Sequence, residues 1–292
     1  GVSGGHGLSE GDGAPMKQLF VIGDPVAHSL SPLLHQTMID QTGAAYRYDV
    51  RTVRPEELPA FVRWAKDGGC AGFNVTMPHK EAILPLLDEV DATAASCGAV
   101  NTVCIREGRA IGHNTDGAGF LDSLAGQGFY PQGRTVLLLG AGGAAKAVGH
   151  ALAAAGVGRI IVCARRLERT AALAAQLPGC GESIVLAQDA IQQAAAACDL
   201  LVNATPLGMA GSPAFAGLDF LQAMPPHAVV YDLVYHPRRT ALLEAAARQG
   251  LRTVGGIDLL IRQAVRAFTF FTGETPDTAA LYAALRAPLG LE

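Results

Sequence analysis

One stretch, "TVLLLGAGGAAKAVGHALAAAG" at residues 135–156, restricts the fold of this chain more than any other. The apolar run Val136–Leu139 has no polar face, so it predicts a strand covered on both sides, as in a parallel sheet. It turns at Gly140, Gly142 and Gly143 into an alanine-rich helix. Glycines allow a sharp turn and let a ligand approach the backbone closely. A helix that starts immediately afterwards offers unpaired amides to a phosphate. The pattern GxGGxxK, with Ala145 at the third glycine position, therefore predicts a dinucleotide-binding turn. Any tight turn favours glycine, so it is the strand–turn–helix context that carries this inference.

The next strand, "RIIVCA", chooses between cofactors. An NAD site usually has an acidic residue at this strand's end, roughly 20 residues past the glycines, for the ribose 2′-hydroxyl. Ala164 stands there instead, followed by Arg165, Arg166 and Arg169. Cations at a helix start oppose its dipole, and guanidinium groups fork phosphate oxygens. The cluster therefore predicts NADP (NADPH) over NAD.

Around this unit, short apolar strands alternate with amphipathic helices from Leu19 onward, which argues for an α/β chain with a doubly wound sheet. "SPLLHQTMIDQTG" reads as a helix beginning at Ser31 with Pro32 in its first position, and "PEELPAFVRWAKDGG" as another. A helix is also expected through "KEAILPLLDEV", and a hairpin over "AVNTVCIREGRAIGHN". Asp116 is expected as the N-cap of the helix "DGAGFLDSLAGQG". Further on come strands "SIVLA", "DLLVNAT", "AVVYDLVY" and "LRTVG", a helix "RRTALLEAAARQG", and final helices at about 257–271 and 277–287. The first 15 residues, polar and glycine-rich, read as a disordered leader (1–15) rather than a signal peptide.

Composition narrows the function classes. A net charge of −4 gives no basic field for nucleic acid, and no window reaches the roughly 18 apolar residues of a membrane span. The six cysteines have neither CxxC nor His/Cys metal-ligand spacing, so no metal is expected and a reducing cytoplasm fits. With 292 residues the chain can form two domains around a small-molecule site, as monomer or homodimer.

"GFNVTMPHK" at residues 72–80 poses a separate question. Asn74 and Thr76 share one face of a strand end, and Lys80 follows just past Pro78. Taken alone, this is a strand stopped by a proline. Ser29 and Ser31 in "HSLS" likewise fit a plain helix cap, and His28, His35 and His79 read as structural.

Taken together, "GDPVAHSLSPLLH", "GFNVTMPHK", "GAVNT", "GHNTDGAGF", "GAGGAAKA", "NATPLGM" and the "QA" after "GGIDLLIR" resemble the shikimate dehydrogenase family across nearly the whole chain after Met16. The resemblance implies an N-terminal α/β substrate domain (16–115) completed by C-terminal helices (256–292). A doubly wound Rossmann NADP-binding domain (116–255) would be inserted between them. It further implies reversible NADPH-dependent reduction of 3-dehydroshikimate to shikimate, in aromatic amino-acid (chorismate) biosynthesis. By the same resemblance Lys80 and Asp116 are catalytic. Ser29, Ser31 and Tyr235 bind the substrate carboxylate, and Asn74, Thr76, Asn101 and Gln263 surround its ring. Gly140, Ala141, Gly142, Gly143 and Ala144, with Arg165, Arg166, Arg169, Asn203, Thr205 and Gly256, would hold the cofactor.

Reduction of a ketone builds negative charge on its oxygen, which an ammonium group can stabilise and then protonate. Lys80 is the candidate, oriented by the carboxylate of Asp116. The chain departs from the family pattern in two places: "ARR" replaces the usual "NRT" at 164–166, and Leu259 stands where methionine is common. Three rival readings are a quinate-oxidising relative using NAD, a non-catalytic ligand sensor, and an imine reductase. The serine pair, the retained Lys80 and Asp116, and the missing acid all point away from them.

Overall fold

A computed structural model of the chain describes residues 14–291. Residues 1–13, most of the expected leader, lie outside the described residues.

In chain order the first part comprises β1 (Lys17–Gly23), α1 (Ser31–Thr42), β2 (Tyr46–Thr52), α2 (Leu58–Trp64), β3 (Gly72–Val75), β4 (Glu89–Val90), α3 (Ala92–Cys97), β5 (Thr102–Arg106) and β6 (Arg109–His113). Then α4 (Asp116–Gly126) leads to β7 (Thr135–Leu139), α5 (Gly143–Ala154), β8 (Arg159–Ala164), α6 (Leu167–Ala175), β9 (Gly181–Val185), α7 (Gln188–Ala197) and β10 (Leu200–Asn203). The chain finishes with β11 (Val229–Asp232), α8 (Ala241–Arg248), β12 (Arg252–Gly255), α9 (Gly256–Thr272) and α10 (Thr278–Leu289).

Two six-stranded sheets result. The first runs β2-β1-β3-β5-β6-β4, with β1 parallel to β2 and β3 and the β5–β6 hairpin antiparallel beside β3. The second runs β12-β11-β10-β7-β8-β9 and is parallel throughout. This is the doubly wound order expected from the glycine turn. Its direction reverses between β7 and β10, and the carboxyl ends of those strands open into a crevice. Alternate residues of β7 serve opposite faces: Val136 and Leu138 enter one core, Leu137 and Leu139 the other.

Three expectations fail locally. The helix through "KEAILPLLDEV" is absent; a 3-10 turn over Leu84–Leu86 and the short β4 occupy that stretch. Pro85 lacks the N–H a helix needs and disfavours α geometry in the residue before it. Asp116 is the first residue of α4, while Thr115 stands at the N-cap and makes no side-chain cap. Helices α3 and α7 were not anticipated. The signal for α3 was present, since Asp91 caps it through Thr93 N and Ala94 N, and Gly98 closes it with φ of 64°.

The chain passes from the first sheet to the second through α4 and returns through α9. These helices touch backbone to backbone, because a Cβ at Gly119 would lie only 2.7 Å from Gln263 N. Arg266 clasps both oxygens of Asp122 at 2.6 and 2.7 Å across the same contact. Asp258 in turn accepts from Ser123 and from Tyr282. Along α9, Leu259 belongs to the core of the parallel sheet. Ile261, Ala264, Phe268 and Phe271 pack instead with β1, β2, α1 and α10.

Candidate active site

A cavity of about 290 Å³ lies between the sheets, and Ser29, Ser31, Asn74, Thr76, Lys80, Asn101, Asp116, Tyr235 and Gln263 all line it. Asn74 lies on β3 and Thr76 just past its end. Ser31 begins α1, yet Leu30 occupies the N-cap and no side chain caps the helix. The plain-cap reading of Ser31 therefore fails, while Ser29 Oγ accepts from Ser31 N at 3.2 Å.

Lys80 Nζ stands 3.2 Å from Asp116 Oδ2, with the two side chains 39% and 21% exposed. Segments far apart in sequence thus join an ammonium and a carboxylate at the edge of the crevice. Lys80 is anchored by its carbonyl, which accepts from Val100 N at 2.8 Å. Asp116 sits in the first turn of α4, where the helix dipole favours a negative charge. Its other oxygen accepts from Asn101 Nδ2 at 3.1 Å, so the carboxylate is held from two sides.

Asn101 has no hydrogen-bonding capacity left. Its Nδ2 also donates to Thr115 Oγ1 at 2.9 Å, and its Oδ1 accepts from Thr115 N and Thr102 Oγ1. Gln263 joins the same network, accepting from Thr115 Oγ1 at 3.3 Å and donating to Leu260 O at 2.8 Å. By contrast, the hydroxyls of Thr76 and Tyr235 make no hydrogen bond among the described residues.

A second cavity, about 350 Å³, opens over the glycine turn and is lined by Gly140, Ala141, Gly142, Arg165, Arg166, Arg169 and Thr205. Gly140 has φ of 114°, which side chains rarely adopt, and a Cβ there would meet Ala204 O at 2.9 Å. A Cβ on Gly142 or Gly143 would meet nothing within 4 Å, so the space above the α5 N-terminus is left clear. Arg165, Arg166 and Arg169 form no ion pair among the described residues. Open space over helix amides beside unpaired guanidinium groups fits the pyrophosphate and an additional phosphate of NADP.

The remaining residues expected at the cofactor lie elsewhere. Ala144 and Gly256 line the first cavity, and Gly143 is the opening residue of α5. Asn203 is fully buried beneath the loop, its Nδ2 donating to Asp232 Oδ1 and Leu207 O, its Oδ1 accepting from Thr205 N and Oγ1. A side chain so engaged braces the loop and does not reach the cavity.

Asp232, not anticipated from sequence, ties that loop to the next. It accepts from Asn203, from Val234 N at 3.0 Å and from Thr240 Oγ1 at 2.6 Å. Burial pushes its carboxyl above the usual range, and these donors pull it back only in part. Leu233 and Tyr235, on the second loop, line the first cavity. The available signal was an acid closing the apolar run "VVYD" at the crevice.

Two of the histidines read as structural, His35 and His79, are buried. His35 is buried against Tyr48, rings parallel at 4.3 Å, and burial pulls its pKa down to about 3. His79 is buried with Nε2 2.6 Å from Val53 O, and His28 is exposed. All six cysteines are free, and burial raises Cys104 and Cys163 to about 11. Among the described residues no His/Cys/Asp/Glu cluster could hold a metal, and no helix is long and apolar enough to cross a membrane.

Comparison with known proteins adds independent findings. Residues 21–103 match the shikimate dehydrogenase substrate binding domain, 123–210 the shikimate / quinate 5-dehydrogenase family, and 256–286 the shikimate 5′-dehydrogenase C-terminal domain. A shikimate dehydrogenase (NADP(+)) of Moorella thermoacetica is 43% identical over 277 residues, covering 92% of each chain. Shikimate 5-dehydrogenase of Thermus thermophilus, solved with NADP(H) and shikimate, superposes with a TM-score of 0.82 at 36% identity, over 93% of this chain and 99% of that one. Quinate dehydrogenase of Corynebacterium glutamicum, solved with NAD, reaches a TM-score of 0.84 at 34% identity over 94% of this chain and all of that one. Backbone likeness therefore does not separate the two substrates; residues at the site must.

Proposed function

The chain belongs to the shikimate dehydrogenase family, and we propose that its two neighbouring cavities carry out that family's reaction. This is the reversible NADPH-dependent reduction of 3-dehydroshikimate to shikimate, a step of aromatic amino-acid biosynthesis. The observation that carries the assignment is the Lys80–Asp116 pair, set in a cavity with paired serines and adjoining a glycine turn flanked by unpaired arginines.

In this reading Ser29, Ser31 and Tyr235 hold the substrate carboxylate, and Asn74, Thr76 and Gln263 meet the ring hydroxyls. Lys80 offsets the negative charge that develops on the reacting oxygen and gives it a proton; in the reverse direction its neutral amine removes one. Asp116 fixes the position of the lysine ammonium group, and Asn101 fixes Asp116. NADP would rest on Gly140–Ala144, Thr205 and Gly256, with its 2′-phosphate on Arg165, Arg166 and Arg169. When bound it supplies the electron pair and hydrogen that reduce the ketone.

We divide the chain into a substrate domain of 16–115 plus 256–292 and an NADP domain of 116–255. The sharing of Phe120 and Leu124 with the parallel-sheet core supports the first boundary. Free thiols and a biosynthetic reaction support a cytoplasmic location. A site built from one chain is compatible with monomer and homodimer alike.

A nicotinamide-absorbance assay of shikimate with NADP against quinate with NAD tests the assignment. Shikimate with NADP is expected to be turned over with at least a hundredfold higher kcat/KM, roughly the ~3 kcal/mol that a charge-assisted phosphate contact can supply. Comparable efficiency with quinate and NAD would overturn it.

A further inference from the structure

Tyr48 lies on β2 and does not line the cavity, yet it holds a side chain that does. Its ring is 4% exposed, sandwiched behind by the parallel ring of His35. In register Tyr48 pairs with Leu19, and Leu19 with Gly72, so the phenol reaches diagonally across β1 to β3. There its hydroxyl donates to Asn74 Oδ1 at 2.7 Å.

This contact fixes the polarity of Asn74. Its Nδ2 spends both hydrogens on the sheet, donating to Asn101 O at 3.2 Å and Thr102 Oγ1 at 3.1 Å. Its Oδ1 keeps one lone pair after accepting from Tyr48. A tyrosine hydroxyl and a carboxamide oxygen can meet in this arrangement, whereas the reversed amide would lose both donations to the sheet. His35 is neutral, because burial holds its pKa near 3, so the stacked ring fixes the phenol without charging it.

We propose that Tyr48 is a positioning residue for the reaction: it locks the Asn74 carboxamide with its oxygen toward the cavity, so that this position recognises a hydroxyl donor on the substrate. The inference rests on the reading of this cavity as the shikimate site, and its test separates the two. Tyr48→Phe keeps the stacked ring and removes only the hydroxyl. It is expected to raise the KM for shikimate about tenfold, while the KM for NADP stays within twofold and thermal unfolding confirms an intact fold. Asn74→Ala should raise the same KM, and the double variant should be impaired by less than the product of the two single effects. An unchanged shikimate KM in Tyr48→Phe, or fully multiplicative effects in the double variant, would overturn the positioning role. Should the unsubstituted protein fail to oxidise shikimate at all, the assignment of the cavity itself would fall.

Discussion

The two cavities are built on opposite plans. In the cavity between the sheets, Asn74, Asn101 and Asp116 are already hydrogen-bonded to one another or to the sheet, and Gln263 is tied to Thr115 and Leu260. In the cavity over the glycine turn, the glycines leave open space and Arg165, Arg166 and Arg169 form no ion pair among the described residues. A pre-tied network dictates where each donor and acceptor points, so it can align a reacting atom. Unpaired cations beside bare amides attract charge with little directional demand. Substitutions in the first region should therefore alter turnover or recognition of one substrate, and those in the second should alter affinity in a salt-dependent way.

The strongest challenge to this contrast is Lys80→Ala, expected to lower kcat about a thousandfold while the KM for shikimate moves only a few-fold. Near-normal turnover in steady-state assays would remove the catalytic role. On the other side, Arg165→Ala should raise the KM for NADP about tenfold or more and leave the KM for shikimate alone. Added salt should narrow the gap between variant and parent, because screening weakens an attraction that only the parent retains in full. Should salt have no bearing on that gap, charge would not be the basis of cofactor choice.

Asp232→Ala probes where the two plans meet. It leaves one N–H of the Asn203 amide and the Val234 N–H without their acceptor in a buried place, at a cost of about 1–3 kcal/mol. Both KM values should rise several-fold together, since loops on both cavities lose their brace, and Asp232→Asn should recover part of the loss. A change confined to one KM would show that the carboxylate serves a single loop.

The smallest effect concerns stability and not activity. His35 has a folded pKa of about 3 against an ordinary value of 6.5, so below that ordinary value the unfolded chain binds a proton that the folded chain refuses. Stability from this group is complete above about pH 6.5 and declines as pH falls, by up to about 1.4 kcal/mol per pH unit, until pH approaches 3. Thermal melts of His35→Phe across pH 4–7 should show a shallower acid slope than the parent; equal slopes would contradict a buried neutral ring.

Legibility from sequence followed the same division. The parallel sheet and its glycine turn were readable because their physics is local: an apolar run, a turn that needs φ > 0, and a helix start. Arg165, Arg166 and Arg169 were readable for the same reason, clustered within one short segment where a phosphate would rest. The substrate cavity was not readable by spacing. Lys80 and Asp116 are 36 residues apart and meet through a hairpin between them, so only the resemblance to a known family brought them together. Asn203 shows the limit of that route: the motif marked the residue, but whether its side chain touches ligand or braces a loop depends on Asp232, supplied by the neighbouring strand. The lost helix at Pro85 and the unforeseen α7 were errors of local propensity, where strand pairing and alanine-rich neutrality hid the outcome.

Helix α9 behaves like a dowel driven through two blocks. Its first turn plugs one apolar interior with Leu259, and its shaft fills the other from Ile261 to Phe271. Neither block can melt while the rod stays rigid, and the rod cannot fray without emptying both. Although the chain carries two sheets, a calorimetric trace should thus show a single endotherm, with the halves losing order in concert.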